Sequence, residues 1–144
     1  MLKNIPPLLG PDLLAILRAM GHGDEIAIVD ANYPADSAGP VLVRLDGISA
    51  TDILDAVLTL MPLDDFVDEP AIVMQTVGDP NKREPIVDAF DQIVQQHEPS
   101  MAVAGMERFA FYARVKQGYA IVQSGERRLY GNIILKKGII RPDG

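Results

Sequence analysis

Cysteine is absent from the 144-residue chain, which excludes disulfides, thiolate nucleophiles and zinc–thiolate sites. The absence also fits a reducing compartment. Basic residues are in the minority, 13 against 20 acids for a net charge of -7. A chain of that balance lacks the basic patch of a nucleic-acid binder. Only two histidines occur, and no short ligand spacing joins His22 to Asp24 and Asp30, so no metal site is expected. No apolar run approaches the ~18 residues of a membrane span. The opening Met-Leu-Lys-Asn-Ile-Pro-Pro lacks the unbroken apolar stretch of a secretion signal. A cytoplasmic protein without a membrane partner is expected. Gly21-x-Gly23 lacks the third glycine and the preceding strand of a dinucleotide site. A phosphate loop, a Gly-x-Ser-x-Gly elbow and a His-Glu-x-x-His pair are missing as well.

What is present is an ordinary globular composition, 48% hydrophobic and 23% charged, enough for one domain spanning residues 1–144 with a real core. Gly10, Pro11 and Asp12 open a first helix, with Leu13, Ile16, Leu17 and Met20 as its apolar stripe and Gly21 as its stop. Glu25 to Asp30 reads as a buried strand, 31–40 as a Pro- and Gly-rich loop, and Val41 to Leu45 as a second strand. Ser49 or Thr51 caps a second helix that Pro62 ends. Asp64 to Pro70, with four acids in seven residues, reads as a solvated loop. A strand from Ala71 to Val77 and a helix from about Pro85 follow. His97 falls in the last turn of that helix, where it suits the dipole and reads as structural or solvated. Met106 to Gln117 is expected as a fourth helix, Tyr119 to Gln123 and Asn132 to Lys136 as the closing strands. Alternating strands and helices predict an α/β fold, a three-layer α/β/α domain with a mixed sheet.

The chemistry concentrates in Gly21 to Pro34. His22 stands between two glycines and is of the one residue type suited to both give and take protons in general acid–base chemistry. Asp30 ends a strand, where open sheets keep their crevices, and is suited to orient a hydroxyl or take its proton. Asp24 is the local candidate to orient His22. Eight extended residues separate His22 from Asp30 by up to ~26 Å. Either this segment folds back, or a neighbouring subunit completes the pocket; reach favours the neighbour. Arg108, in Glu-Arg-Phe-Ala-Phe-Tyr, offers directed donors for hydroxyls or a ring oxygen. Tyr130 and Asn132, two apart, point to one side of an extended segment and suit carbohydrate recognition.

Laid side by side, Leu-Lys-Asn-Ile-Pro-Pro-Leu-Leu, Gly-His-Gly-Asp-Glu, Asp-Ala-Asn-Tyr-Pro, Arg-Phe-Ala-Phe-Tyr and Tyr-Gly-Asn-Ile-Ile-Leu-Lys-Lys-Gly resemble the fucose mutarotase/ribose pyranase family. Arg108 and Tyr-Gly-Asn favour its L-fucose mutarotase branch. Ala113 departs from that branch, which often carries glutamate there. The resemblance implies an isomerase exchanging sugar anomers without a cofactor, with His22 as proton donor and Asp30, Arg108, Tyr130 and Asn132 on the monosaccharide. It also implies a ring-shaped homo-oligomer, a decamer or octamer, with pockets between subunits. The alternatives are a D-ribose pyranase or a non-catalytic sugar-binding protein of an uptake system.

Overall fold

In a computed structural model, which describes residues 1–143, helix α1 (Pro11–Ala19) starts with proline at its first position. There the missing N–H leaves no hydrogen bond unmade. Strand β1 (Glu25–Val29) follows, then a single 3-10 turn at Asp36–Ala38 and strand β2 (Val41–Leu45). Helix α2 (Ala50–Leu60) is capped by Ser49, whose Oγ accepts the Asp52 N–H at 3.2 Å. Strand β3 (Ala71–Met74) leads to helix α3 (Pro85–His97). A short strand β4 (Ala104–Met106), helix α4 (Arg108–Lys116) and strands β5 (Ala120–Ser124) and β6 (Ile133–Lys136) complete the chain.

The six strands lie in the order β2-β5-β1-β6-β3-β4. Strand β1 runs parallel to β5 and antiparallel to β6; β3 runs antiparallel to β6 and parallel to β4. Five strands therefore point one way and β6 alone is reversed. Side chains alternate across the sheet. Ile26, Ile28, Val73, Val122, Ile133 and Leu135 pack under α1, α2 and α3. Ala27, Val29, Ile72, Ile121 and Ile134 meet Phe111 and Val115 of α4 on the other face. The result is the expected three-layer α/β/α arrangement with a mixed sheet.

Two differences from the sequence reading shape the site. The third strand stops at Met74 rather than Val77, because the Val77 N–H leaves the ladder and donates to the Tyr130 hydroxyl at 3.0 Å. The fourth helix starts at Arg108 rather than Met106, because 104–106 pair with the edge of β3. Three residues with a central glycine carry no strand signal of their own; the neighbouring strand makes this one. At the far end of α4, the Arg114 guanidinium grips Glu25 through two bonds of 2.8 and 2.7 Å and locks the helix to the start of β1. His97 is structural, as expected: its Nε2 lies 2.7 Å from Asp55 and joins α3 to α2. No helix among the described residues is long and apolar enough to cross a membrane.

Phe111 is fully buried and anchors the one helix on its face of the sheet. Phe111→Ala is expected to lower stability by about 3–5 kcal/mol in urea denaturation. A loss below about 1 kcal/mol would contradict the packing of α4.

Candidate functional site

Because β6 is reversed, its first residue, Ile133, pairs with Ile28 near the end of β1 and Val73 near the end of β3, and β4 ends beside β3 on the same side. Asp30 and Asn32 follow β1, Val77 follows β3, Arg108 follows β4, and Tyr130 and Asn132 precede β6. These side chains, with Tyr33, Met74, Tyr112 and Leu129, line one cavity of about 220 Å³. Crevices beyond the carboxyl ends of parallel strands are the usual ligand sites of such sheets. A larger groove of about 510 Å³, between Leu2, α1, α2 and Ile140, is mostly apolar. Its Lys137 ammonium is already bonded to the carbonyls of Leu17 and Met20, so it offers little to fix a polar ligand.

Asp30 is the most constrained group of the cavity. Its backbone N–H donates to Asn132 Oδ1 at 2.8 Å, and its Oδ1 accepts the Asn32 N–H at 3.0 Å. Its carbonyl accepts the buried Gln123 Nε2 at 3.3 Å, and the same amide reaches the Tyr33 carbonyl at 2.9 Å. Burial pushes the Asp30 carboxyl above the ordinary value, against the lowering pull of the hydrogen bonds from Asn32 and Asn132. Burial also raises the Tyr33 phenol, with the neighbouring Tyr112 and Asp30 adding to it. Tyr33 is thus a neutral donor at physiological pH. Arg108 sits at the first position of α4 with its guanidinium 4.5 Å from the Phe109 ring centre. Its Nε is buried with no hydrogen-bond partner, alone among the described residues in this. An enclosed donor without a partner is costly, and a ligand oxygen in the cavity would satisfy it.

Tyr130 and Asn132 do share the cavity, but not through strand alternation. Tyr130 is in the left-handed region at φ 64, so the expected extended segment is a turn. The turn places the phenol beside Val77 and leaves Asn132 at the mouth of β6.

His22 is elsewhere. It precedes β1, so it lies at the opposite edge of the sheet from Asp30. At about 3.3 Å per residue the five residues of β1 alone separate the two edges by roughly 16 Å, and the segment does not fold back. The imidazole is 42% exposed and its Nε2 donates to the buried Asp64 Oδ1 at 2.9 Å. Phe66 packs on the ring with centroids 5.1 Å apart. Asp64 also accepts the Phe66 N–H at 3.0 Å. Burial alone would raise this carboxyl, but the bonds from His22 and Phe66 outweigh it and hold it below the ordinary range. Asp24, the local candidate, instead accepts the Gly21 N–H at 2.7 Å. The acidic segment is thus solvated at Asp65, Asp68 and Glu69 and buried at Asp64, a correction to the sequence reading. No local signal sets Asp64 apart from Asp65, Asp68 and Glu69 in the same acidic run. No three His, Asp or Glu side chains gather as a metal-binding set among the described residues.

An α/β domain with a small cavity ringed by carboxylate, guanidinium, phenol and amide has the donors and acceptors that suit polyhydroxylated small molecules. The chain belongs to the RbsD / FucU transport protein family, whose profile matches residues 3–140. Human fucose mutarotase is 44% identical over 145 residues, covering 96% of this chain and 94% of that protein. The fucose mutarotase of Streptococcus pneumoniae, solved in complex with L-fucose, is 43% identical and superposes with a TM-score of 0.90 over 97% of this chain and 100% of that one. Bacillus subtilis RbsD, complexed with D-ribose, shares the fold at a TM-score of 0.72 and 21% identity, over 98% of this chain and 100% of that one.

The two carboxyls titrate in opposite senses. For Asp30, raised above 3.8, stability is fully present below the ordinary value and declines as pH rises through the raised one. For Asp64, lowered from 3.8, stability is present above the ordinary value and is lost as pH falls through the depressed one. Asp30→Asn should therefore melt higher than the wild type at pH 7, with the gap narrowing as pH falls toward 4, while Asp64→Asn melts lower at pH 7. Thermal melts that show Asp30→Asn less stable at pH 7 would contradict this.

Proposed function

We propose that this protein is a sugar mutarotase, an isomerase that interconverts the α and β anomers of L-fucose or a closely related monosaccharide. The observation that carries the reading is the set of hydroxyl-matching groups around the cavity, in a chain so similar to named fucose mutarotases. Sugar recognition needs directed donors and acceptors at fixed positions. Asp30, Arg108, Tyr130 and Asn132 supply an acceptor, a donor fork, a phenol and an amide. The apolar Met74, Val77 and Leu129 on the same wall suit the methyl group of a 6-deoxyhexose.

The reaction needs two proton movements and no change of oxidation state. A proton leaves the anomeric O–H, the bond between C1 and the ring oxygen breaks with its electron pair going to that oxygen, and the oxygen gains a proton. The resulting aldehyde turns about its C1–C2 bond, and the steps reverse to close the other anomer. Positioned acids and bases accelerate such transfers. In this proposal His22 as the imidazolium is the proton donor through Nδ1, and Asp64 holds the direction of the ring through Nε2–H. Asp30, which burial makes more basic than an ordinary carboxylate, accepts from a sugar hydroxyl. Neither cofactor nor metal enters the scheme.

His22 then reaches the cavity from a second subunit. The His22–Asp64 edge of one copy meets the cavity edge of the next in a head-to-tail contact, which closes into a ring, a decamer or octamer. Exposed apolar side chains at both edges support such a contact: Phe66 beside His22, and Val77, Phe109 and Leu129 around the cavity. The cytoplasmic setting expected from the sequence belongs to the same proposal.

Saturation-transfer NMR of anomeric protons with L-fucose, D-ribose, D-galactose and D-glucose tests the reading. L-fucose is expected to show the fastest catalysed exchange, and His22→Ala to slow it about 10²–10⁴-fold. Faster exchange of D-ribose would make the protein a pyranase. Binding of L-fucose without accelerated exchange of any sugar would reduce it to a sugar-binding protein and end the proposal.

A further inference from the structure

Glu126 is buried yet absent from the cavity wall, and the chemistry above makes no use of it. It follows β5, and each of its polar atoms is engaged. Its N–H donates to Ser124 Oγ at 3.1 Å, and its carbonyl accepts the Ala31 N–H at 2.9 Å. Arg128 donates its backbone N–H and Nε to Glu126 Oε2 at 3.2 and 3.0 Å, and its Nη2 to Oε1 at 2.9 Å. The first N–H of α2, from Ala50, adds a further bond, and together these hold the carboxyl below its ordinary range. Arg128 Nη2 also reaches Thr51 Oγ1 at 3.3 Å, so the clamp is moored to the start of α2. Gly131 lies so close that a Cβ there would stand 2.9 Å from Glu126 Cγ.

The consequence lies in what these bonds connect. The carbonyl of Glu126 holds the turn that carries Asp30, Asn32 and Tyr33. Its carboxylate holds the 126–131 turn, where Tyr130 keeps the left-handed φ of 64. A non-glycine residue stays in that region only where its surroundings over-determine it. We propose that Glu126 is a positioning residue of the sugar site: clamped by Arg128, it holds the Asp30 turn and the Tyr130 turn at the spacing the cavity requires. The proposal rests on the mutarotase reading for its kinetics but not for its geometry.

Glu126→Gln keeps the shape and removes the charge that organises Arg128. The substitution leaves the Glu126 carbonyl on the Ala31 N–H, so the turn that loosens is the one carrying Tyr130 and Asn132. These two grip the sugar in ground and transition states alike, and the effect falls on binding more than on the chemical step. The KM for L-fucose is expected to rise about tenfold, with kcat within about threefold of the wild type. A merely structural brace would lower the melting temperature and leave the KM of the folded protein unchanged; that result overturns the proposal. Arg128→Met removes the clamp from its half-exposed side and is the reading should Glu126→Gln not fold. A KM rise of about threefold or more is expected for it, and an unchanged KM in the folded variant overturns the proposal equally. A crystal structure of whichever variant folds provides an arm independent of sugar chemistry. The Tyr130 hydroxyl is expected to leave the Val77 N–H; a cavity wall identical to the wild type overturns the proposal whether or not the protein exchanges anomers. Wild-type protein inactive on all sugars would count against the mutarotase reading alone.

Discussion

A β-strand cannot bring its own two ends together, and that constraint governs this molecule. Strand β1 is paired along its length on both sides, parallel with β5 and antiparallel with β6. Its hydrogen bonds and its buried Ile26, Ile28 and Val29 hold it extended. His22 and Asp30 are therefore kept on opposite edges of the sheet. The imidazole has its partner Asp64 at one edge; the carboxylate, guanidinium, phenol and amide of the cavity gather at the other. Each edge is chemically incomplete for a reaction that both donates and accepts protons at one sugar. The proposed head-to-tail assembly of identical chains is what would join them.

Within each edge the electrostatics are prepared in opposite directions. Asp30 is buried, so its proton is held more tightly than usual. Asp64 is also enclosed, but His22 and the Phe66 N–H keep it ionised. Two carboxyls with environments that push them apart can take different roles at one pH. The unpartnered Arg108 Nε adds a donor already freed from water. Gln123 and Glu126 bond the turns beside it.

Much of this was legible in residue order. Helices α1, α2 and α3 follow from apolar spacing and from Pro11, Ser49 and Pro85 at their starts; β1 and β2 follow from short apolar runs. Asp30 was readable because a carboxylate ended a strand. The distance between His22 and Asp30 was readable too, since reach depends only on residue count when the chain is extended. What escaped are features created by distant neighbours. Asp64 becomes a partner of His22 across 42 residues, and no local pattern separates it from the exposed acids beside it. Strand β4 exists only because β3 offers an unpaired edge. Tyr130 looks extended in sequence and is a left-handed turn, because Glu126, Arg128 and Val77 together hold it there.

The most direct test of the shared site is subunit mixing. Subunits carrying His22→Ala and subunits carrying Asp30→Asn, each inactive alone, are dissociated, combined in equal amounts and reassembled. Random neighbours in a head-to-tail ring leave about a quarter of the sites intact on both sides, so anomer exchange with L-fucose should return to about a quarter of the wild-type rate. No recovery in properly reassembled mixtures, or full wild-type activity in isolated single subunits, would contradict the account.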